Sequence, residues 1–144
     1  MFRVTTERIE TVAQGPTDLL QFGWFSSSTS ILLPWKIDCD ALSDNDIEAV
    51  ARLIRGKFVF GNVIGIPSGG LRLQQALTPY SEPGNATLIV DDVLTTGTPM
   101  KVQKTKVHGP VFGVVIFARA PCPDWVWPIF TVNDWAQSRG TGLG

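Results

Sequence analysis

The chain has 144 residues, of which 44% are hydrophobic and 17% charged, and its formal net charge is −1. That balance fits a globular chain with enough length for one domain and its own core, and it excludes a disordered polymer. Near-neutral charge gives no electrostatic case for nucleic acid, no apolar run reaches the roughly 20 residues of a membrane span, and no basic-then-apolar leader opens the sequence.

Met1 to Gln14 carries a weak helical pattern through Val4, Ile9 and Val12, broken by Gly15-Pro16. Thr17-Asp18 could cap a short turn around Leu19, Leu20 and Phe22. Ser26 to Ser30 is a polar turn between two apolar stretches, and Ile31 to Ile37 reads as a strand, so a small hairpin is expected. Cys39 and Cys122 lack metal-ligand spacing; a disulfide is one option, and reduced thiols in a cytoplasmic protein are the preferred one. Ser43 is a good helix N-cap with Asp46 three residues on. Ile47, Val50, Ala51 and Ile54 then recur at helical spacing until Gly56.

Phe58 to Pro67 reads as a buried strand through Val63, Ile64 and Ile66. It ends in Pro67-Ser68-Gly69-Gly70-Leu71-Arg72, where adjacent glycines let backbone N–H groups approach an anion, and a helix is expected from about Leu71 to Leu77. Many tight turns share this form, and Arg72 is as easily a surface arginine. Thr78 to Ala86 is a turn-rich connector without Lys, Arg or His.

Thr87 to Val90 suits a strand buried in a parallel sheet. Asp91 and Asp92 follow, then Thr95, Thr96, Gly97 and Thr98, with Pro99 placing a helix start near Thr98. Such a turn offers N–H groups to an anion. The carboxylates on its rim can accept hydrogen bonds from sugar hydroxyls. A phosphate site beside a diol site describes a ribose 5-phosphate. Met100 to His108 is helical or irregular. Its Lys101, Lys104 and Lys106 could reach phosphates, although a solvated helix end explains them more simply, and the single histidine, His108, reads as a loop residue. Val111 to Phe117 is another buried strand, ending at Ala118-Arg119. The Arg119 guanidinium suits a planar anionic or carbonyl-rich ring. Pro121 to Pro128 reads as an irregular loop, and Ile129 to Val132 as a last strand. Trp125 or Trp127 could cover a base, cap the core or form a subunit contact. The strands and intervening helices imply an α/β chain with a mainly parallel sheet, whose anion-binding turns fall where such folds bind ligands.

At Asp91-Asp92-Val93-Leu94-Thr95-Thr96-Gly97 the chain resembles the type I phosphoribosyltransferases, whose signature for 5-phosphoribosyl 1-pyrophosphate (PRPP) is an apolar strand, two acids, two aliphatics and a Thr/Gly turn. Thr98 comes one place early, and Pro99 takes the slot of the family's last small residue. Phe22-Gly23-Trp24-Phe25, Ser28-Thr29-Ser30-Ile31 and Leu33-Pro34-Trp35 narrow the resemblance to the orotate phosphoribosyltransferase-like group. Ser28 stands at that group's Lys and Ile31 at its Arg.

The resemblance implies a three-layer fold with flanking helices and a small N-terminal hood. A single domain would span 1–137, with the hood about 15–42 and the core about 43–135, and 138–144 would be a flexible tail. It implies transfer of phosphoribosyl from PRPP to a nucleobase with release of pyrophosphate, Mg²⁺ as cofactor and a homodimer as assembly. Asp91 and Asp92 would hold the ribose hydroxyls, and Thr95, Thr96, Gly97 and Thr98 the 5-phosphate. Ser68, Gly69, Gly70, Leu71 and Arg72 would hold the pyrophosphate, while Arg119 and Phe25 would face the base. The family's long mobile loop is missing, replaced by Thr78 to Ala86. That shortening implies slow transfer, help from a neighbouring subunit, or a non-catalytic PRPP- or nucleotide-binding protein of the same fold.

Overall fold

A computed structural model describes residues 18–26 and 32–132, with side chains 21–35 excepted. The expected patterns at Met1 to Gln14, the turn residues Ser27 to Ile31, Trp135 and the tail 138–144 lie outside the described residues. The chain divides into two compact units, Met1–Asp46 and Ile47–Gly144.

In the first unit, β1 (Leu20–Ser26) pairs antiparallel with β2 (Leu32–Ile37), from Leu20 opposite Ile37 to Ser26 opposite Leu32. The register shifts between Phe22 and Phe25. Asp38 N–H closes the hairpin base on the Leu19 carbonyl at 2.7 Å. A single 3₁₀ turn, Cys39–Ala41, leads to helix α1 (Asp44–Lys57). The start of α1 is a reciprocal capping box. Asp46 N–H donates to Ser43 Oγ at 3.1 Å, and Ser43 N–H donates to Asp46 Oδ2 at 2.9 Å. Those bonds hold the Asp46 carboxyl below its usual range. The helix runs through Gly56 to Lys57, one residue beyond the expected stop.

The second unit holds a parallel sheet in the order β3-β4-β5-β6: β3 (Asn62–Gly65), β4 (Thr87–Leu94), β5 (Val111–Ala118) and β6 (Val126–Thr131). Helix α2 (Leu71–Leu77) links β3 to β4, and α3 (Thr98–Lys104) links β4 to β5. Parallel neighbours need such crossovers, and each starts at the C-terminal end of a strand. Ile54, Phe60, Leu73, Leu77, Leu88, Ile89, Val90, Met100, Val114, Val115 and Ile116 form the dry interior. The central strands β4 and β5 read as continuous apolar runs because both faces are covered.

Three boundaries differ from the expectations. β3 is only four residues long, because it pairs with β4 from Asn62 opposite Thr87 to Gly65 opposite Val90 and no further. β4 continues through Asp91 and Asp92 to Leu94, since β5 supplies partners as far as Ala118. β6 begins at Val126, inside the stretch expected to be irregular, because β5 pairs it from Gly113 opposite Val126 onward. Pro128 is tolerated there because β6 is an edge strand.

Candidate functional site

The acidic pair sits inside the last half of β4. Asp91 is half-buried, and its Oδ1 accepts the Asp92 N–H at 2.8 Å. Asp92 Oδ1 accepts the Val93 N–H at 2.7 Å. Burial first, and the Asp92 carboxylate second, push the Asp91 pKa from its ordinary 3.8 up to about 8. Two adjacent acids with little water cannot both carry charge cheaply. A cation or a set of hydroxyl donors at this point would restore the ionised form.

β4 then gives way to the turn Thr95–Gly97. Gly97 is buried and has φ +80°, a conformation that L side chains rarely adopt. Thr98 N–H donates to Thr96 Oγ1 at 3.3 Å, and the two hydroxyls lie 3.2 Å apart. Among the described residues the N–H groups of Thr95, Thr96 and Gly97 donate to no partner. Both helices that follow the turns are seven residues long, so their dipoles are small. The anion-binding capacity rests on the N–H groups of the turns.

The second turn, Pro67 to Gly70, lies directly against this strand. Ile66 N–H donates to the Val90 carbonyl at 2.9 Å. A Cβ on Gly65 would run into the Gly70 carbonyl, one on Gly70 into the Val90 carbonyl, and one on Gly69 into the Asp92 carboxylate. The Gly65 N–H is taken by Gln74 Oε1 of α2 at 2.7 Å, which ties that helix back to β3. Gly70 N–H donates to Ile66 O at 2.8 Å and Leu71 N–H to Ser68 O at 3.2 Å, so these two amides are spent on the turn itself. Among the described residues the Ser68 and Gly69 N–H groups donate to no partner. The Pro67–Ser68 peptide is cis.

Arg119, at the end of β5, is 4% exposed, and its backbone N–H donates to the Leu94 carbonyl at 2.9 Å. β3 thus ends beside Val90, in the middle of β4, while β4 and β5 run on together until Leu94 meets Arg119. Phe25 lies in β1 of the other unit, and its side chain is outside the described residues. Other candidates lie apart. Lys104 Nζ sits 4.7 Å from the Trp125 ring centroid. Trp125 packs beside Gly113 and Val126, while Trp127 lies 6.2 Å from Phe58 and is 53% exposed. Trp125 thus packs on the core, one of the three roles considered. Cys39 and Cys122 are free thiols, and burial pushes the Cys122 thiol up.

The connector is held in place. Glu82 N–H donates to Phe60 O at 2.7 Å, and Gly61 N–H to Ala86 O at 2.8 Å. Tyr80 Oη donates to Glu48 Oε2 at 2.6 Å, with Arg55 4.9 Å above the Tyr80 ring. The segment enters β4 at Thr87, four residues before Asp91, a run of about 13 Å in a strand.

Among the described residues no group of three or more His, Cys, Asp and Glu side chains could hold a metal, and no helix is long and apolar enough to cross a membrane. No protein-family model and no curated protein matches the chain. Solved structures do. The orotate phosphoribosyltransferase of Aeropyrum pernix superposes with a TM-score of 0.61 at 17% identity, over 94% of this chain and 98% of that one. The orotate phosphoribosyltransferase of Mycobacterium tuberculosis gives 0.58 at 16% identity over 88% and 97%. A phosphoribosyltransferase of Corynebacterium diphtheriae gives 0.56 at 13% identity over 87% and 96%. The chain therefore has the α/β fold of the phosphoribosyltransferases, with orotate phosphoribosyltransferases among the structures it matches.

Proposed function

We propose that this chain binds PRPP and transfers its phosphoribosyl group to a nitrogenous base. The carrying observation is that the open-amide turn Pro67–Gly70 packs against Val90 and the Asp92 carboxylate of β4, the strand that bears the Asp91–Asp92 pair and runs on into the second open-amide turn, Thr95–Gly97. The N–H groups of Thr95, Thr96 and Gly97, with the Thr hydroxyls, hold the 5-phosphate. Asp91 and Asp92 accept from the ribose 2- and 3-hydroxyls. The Ser68 and Gly69 N–H groups hold the pyrophosphate, with Gly70 and Leu71 shaping the turn and Arg72 adding charge. Arg119 faces the base.

The base nitrogen bonds to ribose C1 as the C1–O bond to pyrophosphate breaks, its electron pair leaving with the pyrophosphate. The protein contributes position and charge neutralisation rather than a covalent step. Mg²⁺ would enter with PRPP, held by the ligand's own oxygens, and no side chain of this chain is assigned to it. When bound, Mg²⁺ neutralises the charge that develops on the leaving pyrophosphate. A homodimer is the proposed assembly.

A second reading, a PRPP- or nucleotide-binding protein without turnover, is favoured by the connector. It is tied to Phe60, Gly61 and Glu48 and bears no basic residue, so it provides no cover for the reacting centre. Calorimetry with PRPP, with and without Mg²⁺, followed by pyrophosphate release over a panel of bases, separates the readings. Binding with turnover supports transfer, and binding without turnover supports the second reading. Binding unchanged by Asp91→Asn with Asp92→Asn removes the site from both.

A further inference from the structure

We infer that Gly69 is a positioning residue for the Asp92 carboxylate, and that it couples the two halves of the site. The inference rests on the ribose reading of Asp92 and adds a residue that acts through it. The atoms that a Cβ on Gly69 would strike are all from one group: Oδ2, Cγ and Oδ1 of Asp92. Gly69 does not have a positive φ, unlike Gly84, Gly97 and Gly109, so glycine is required here by space and not by backbone conformation. The struck group cannot swing aside as the tip of a long side chain would. Its Cγ is one bond from the Cβ on β4, and its Oδ1 is held by the Val93 N–H at 2.7 Å. Gly70 crowds the same turn from behind, because a Cβ there would strike the Val90 carbonyl and the Ile66 backbone. The turn can therefore neither retreat from Asp92 nor let Asp92 rotate into it. A methyl at position 69 must push the carboxylate off its present line, breaking the Val93 bond, or pull the turn off β4.

A double-mutant cycle tests this with the full chain: wild type, Gly69→Ala, Asp92→Ala and the double variant. With Asp92 in place Gly69→Ala lowers Tm by roughly 4–8 °C, and in the Asp92→Ala background by less than about 2 °C, since the three struck atoms are gone. Gly69→Ala also weakens ribose 5-phosphate binding by about tenfold or more. In the Asp92→Ala background the same substitution changes that affinity by less than about twofold, because no carboxylate is left for the methyl to displace. Additive Tm shifts, or additive losses of ribose 5-phosphate affinity, overturn the inference. A protein that does not bind ribose 5-phosphate overturns the ribose reading, and the Tm cycle then still decides whether Gly69 sets the Asp92 position.

Discussion

The Asp92 N–H donates to Asp91 Oδ1 at 2.8 Å, so two neighbouring acids on one strand share a hydrogen bond while their charges repel. That bond lowers the Asp91 pKa, but burial and the Asp92 carboxylate outweigh it and raise the value to about 8. Folded protein therefore holds a proton on Asp91 between its ordinary 3.8 and about 8, where the unfolded chain does not. The stabilisation is fully present below the lower value and is lost as pH rises through the upper one. Urea midpoints should fall from pH 6 to pH 9. Asp91→Asn should flatten that slope and make the variant more stable than wild type at pH 9 by about 1–3 kcal/mol. An unchanged slope in the Asn variant would assign it to another group.

The same protonation bears on ligand binding. A diol donates to the ionised carboxylate, so ribose 5-phosphate affinity should rise with pH by up to about tenfold per unit below the Asp91 pKa and level off above it. Calorimetry at pH 6, 7, 8 and 9 reads this directly. Affinity that falls over the range would place Asp91 outside the sugar contacts.

The Thr turn depends on one backbone conformation. Gly97 is buried at φ +80°, and its carbonyl accepts the Lys101 N–H at 3.0 Å to start α3. Gly97→Ala should cost about 1–2 kcal/mol and Gly97→Asn less, because Asn tolerates the left-handed region better. Denaturant melts of the two variants check the order; equal costs would show that φ does not carry the loss, since a Cβ there meets Leu94 only at ordinary contact distance.

The strand-then-acids-then-turn order was legible in the sequence because Thr87 to Val90 is apolar and Gly97 and Pro99 punctuate the segment beyond the acids. The extent of β4 was not, since Asp91 to Leu94 are strand only by virtue of β5, whose partners run from Val115 to Ala118. Local pattern likewise placed Ser68 to Leu71 in one anion-binding turn. It did not reveal that the Gly70 and Leu71 amides bond back to Ile66 and Ser68. Contact between Gly69 and Asp92 joins residues 23 positions apart (92 minus 69), and no local spacing encodes it. The adjacent glycines signalled a close approach, without its partner. For Trp127 the sequence offered three roles; the structure pairs its ring with Phe58, a residue at the end of α1 that periodicity assigns to a strand.

Tyr80 anchors the connector through a part-buried bond to the Glu48 carboxylate at 2.6 Å. Tyr80→Phe removes the hydroxyl but keeps the ring under Arg55. It should cost about 1–2 kcal/mol, the range for a bond to a charged acceptor that leaves Glu48 partly served by Arg52 at 3.4 Å. If the bond carries that loss, Glu48→Gln should cost less in the Tyr80→Phe background than in wild type, as urea melts of the four proteins would read. A Tyr80→Phe variant with wild-type stability would show the anchor to be the backbone pairs alone.

Those backbone pairs make the connector a fixed strut, and hydrogen exchange can test that. Gly61 N–H and Glu82 N–H are bonded across the segment at 2.8 and 2.7 Å, and Asn85 Nδ2 closes its tip on the Glu82 carbonyl at 2.8 Å. A lid must open, so its amides exchange quickly without ligand and slow on closure. A strut shows neither behaviour. On adding PRPP and Mg²⁺, protection should rise at 68–69 and 95–97, whose amides receive the ligand, while rates across 78–86 stay within about twofold. Strong new protection in 78–86 would mean that the segment leaves Phe60 and closes over the ligand, and a non-catalytic protein would lose its main support. Protection confined to the two turns, together with measurable pyrophosphate release, would instead require that cover for the reacting centre come from a second copy of the chain.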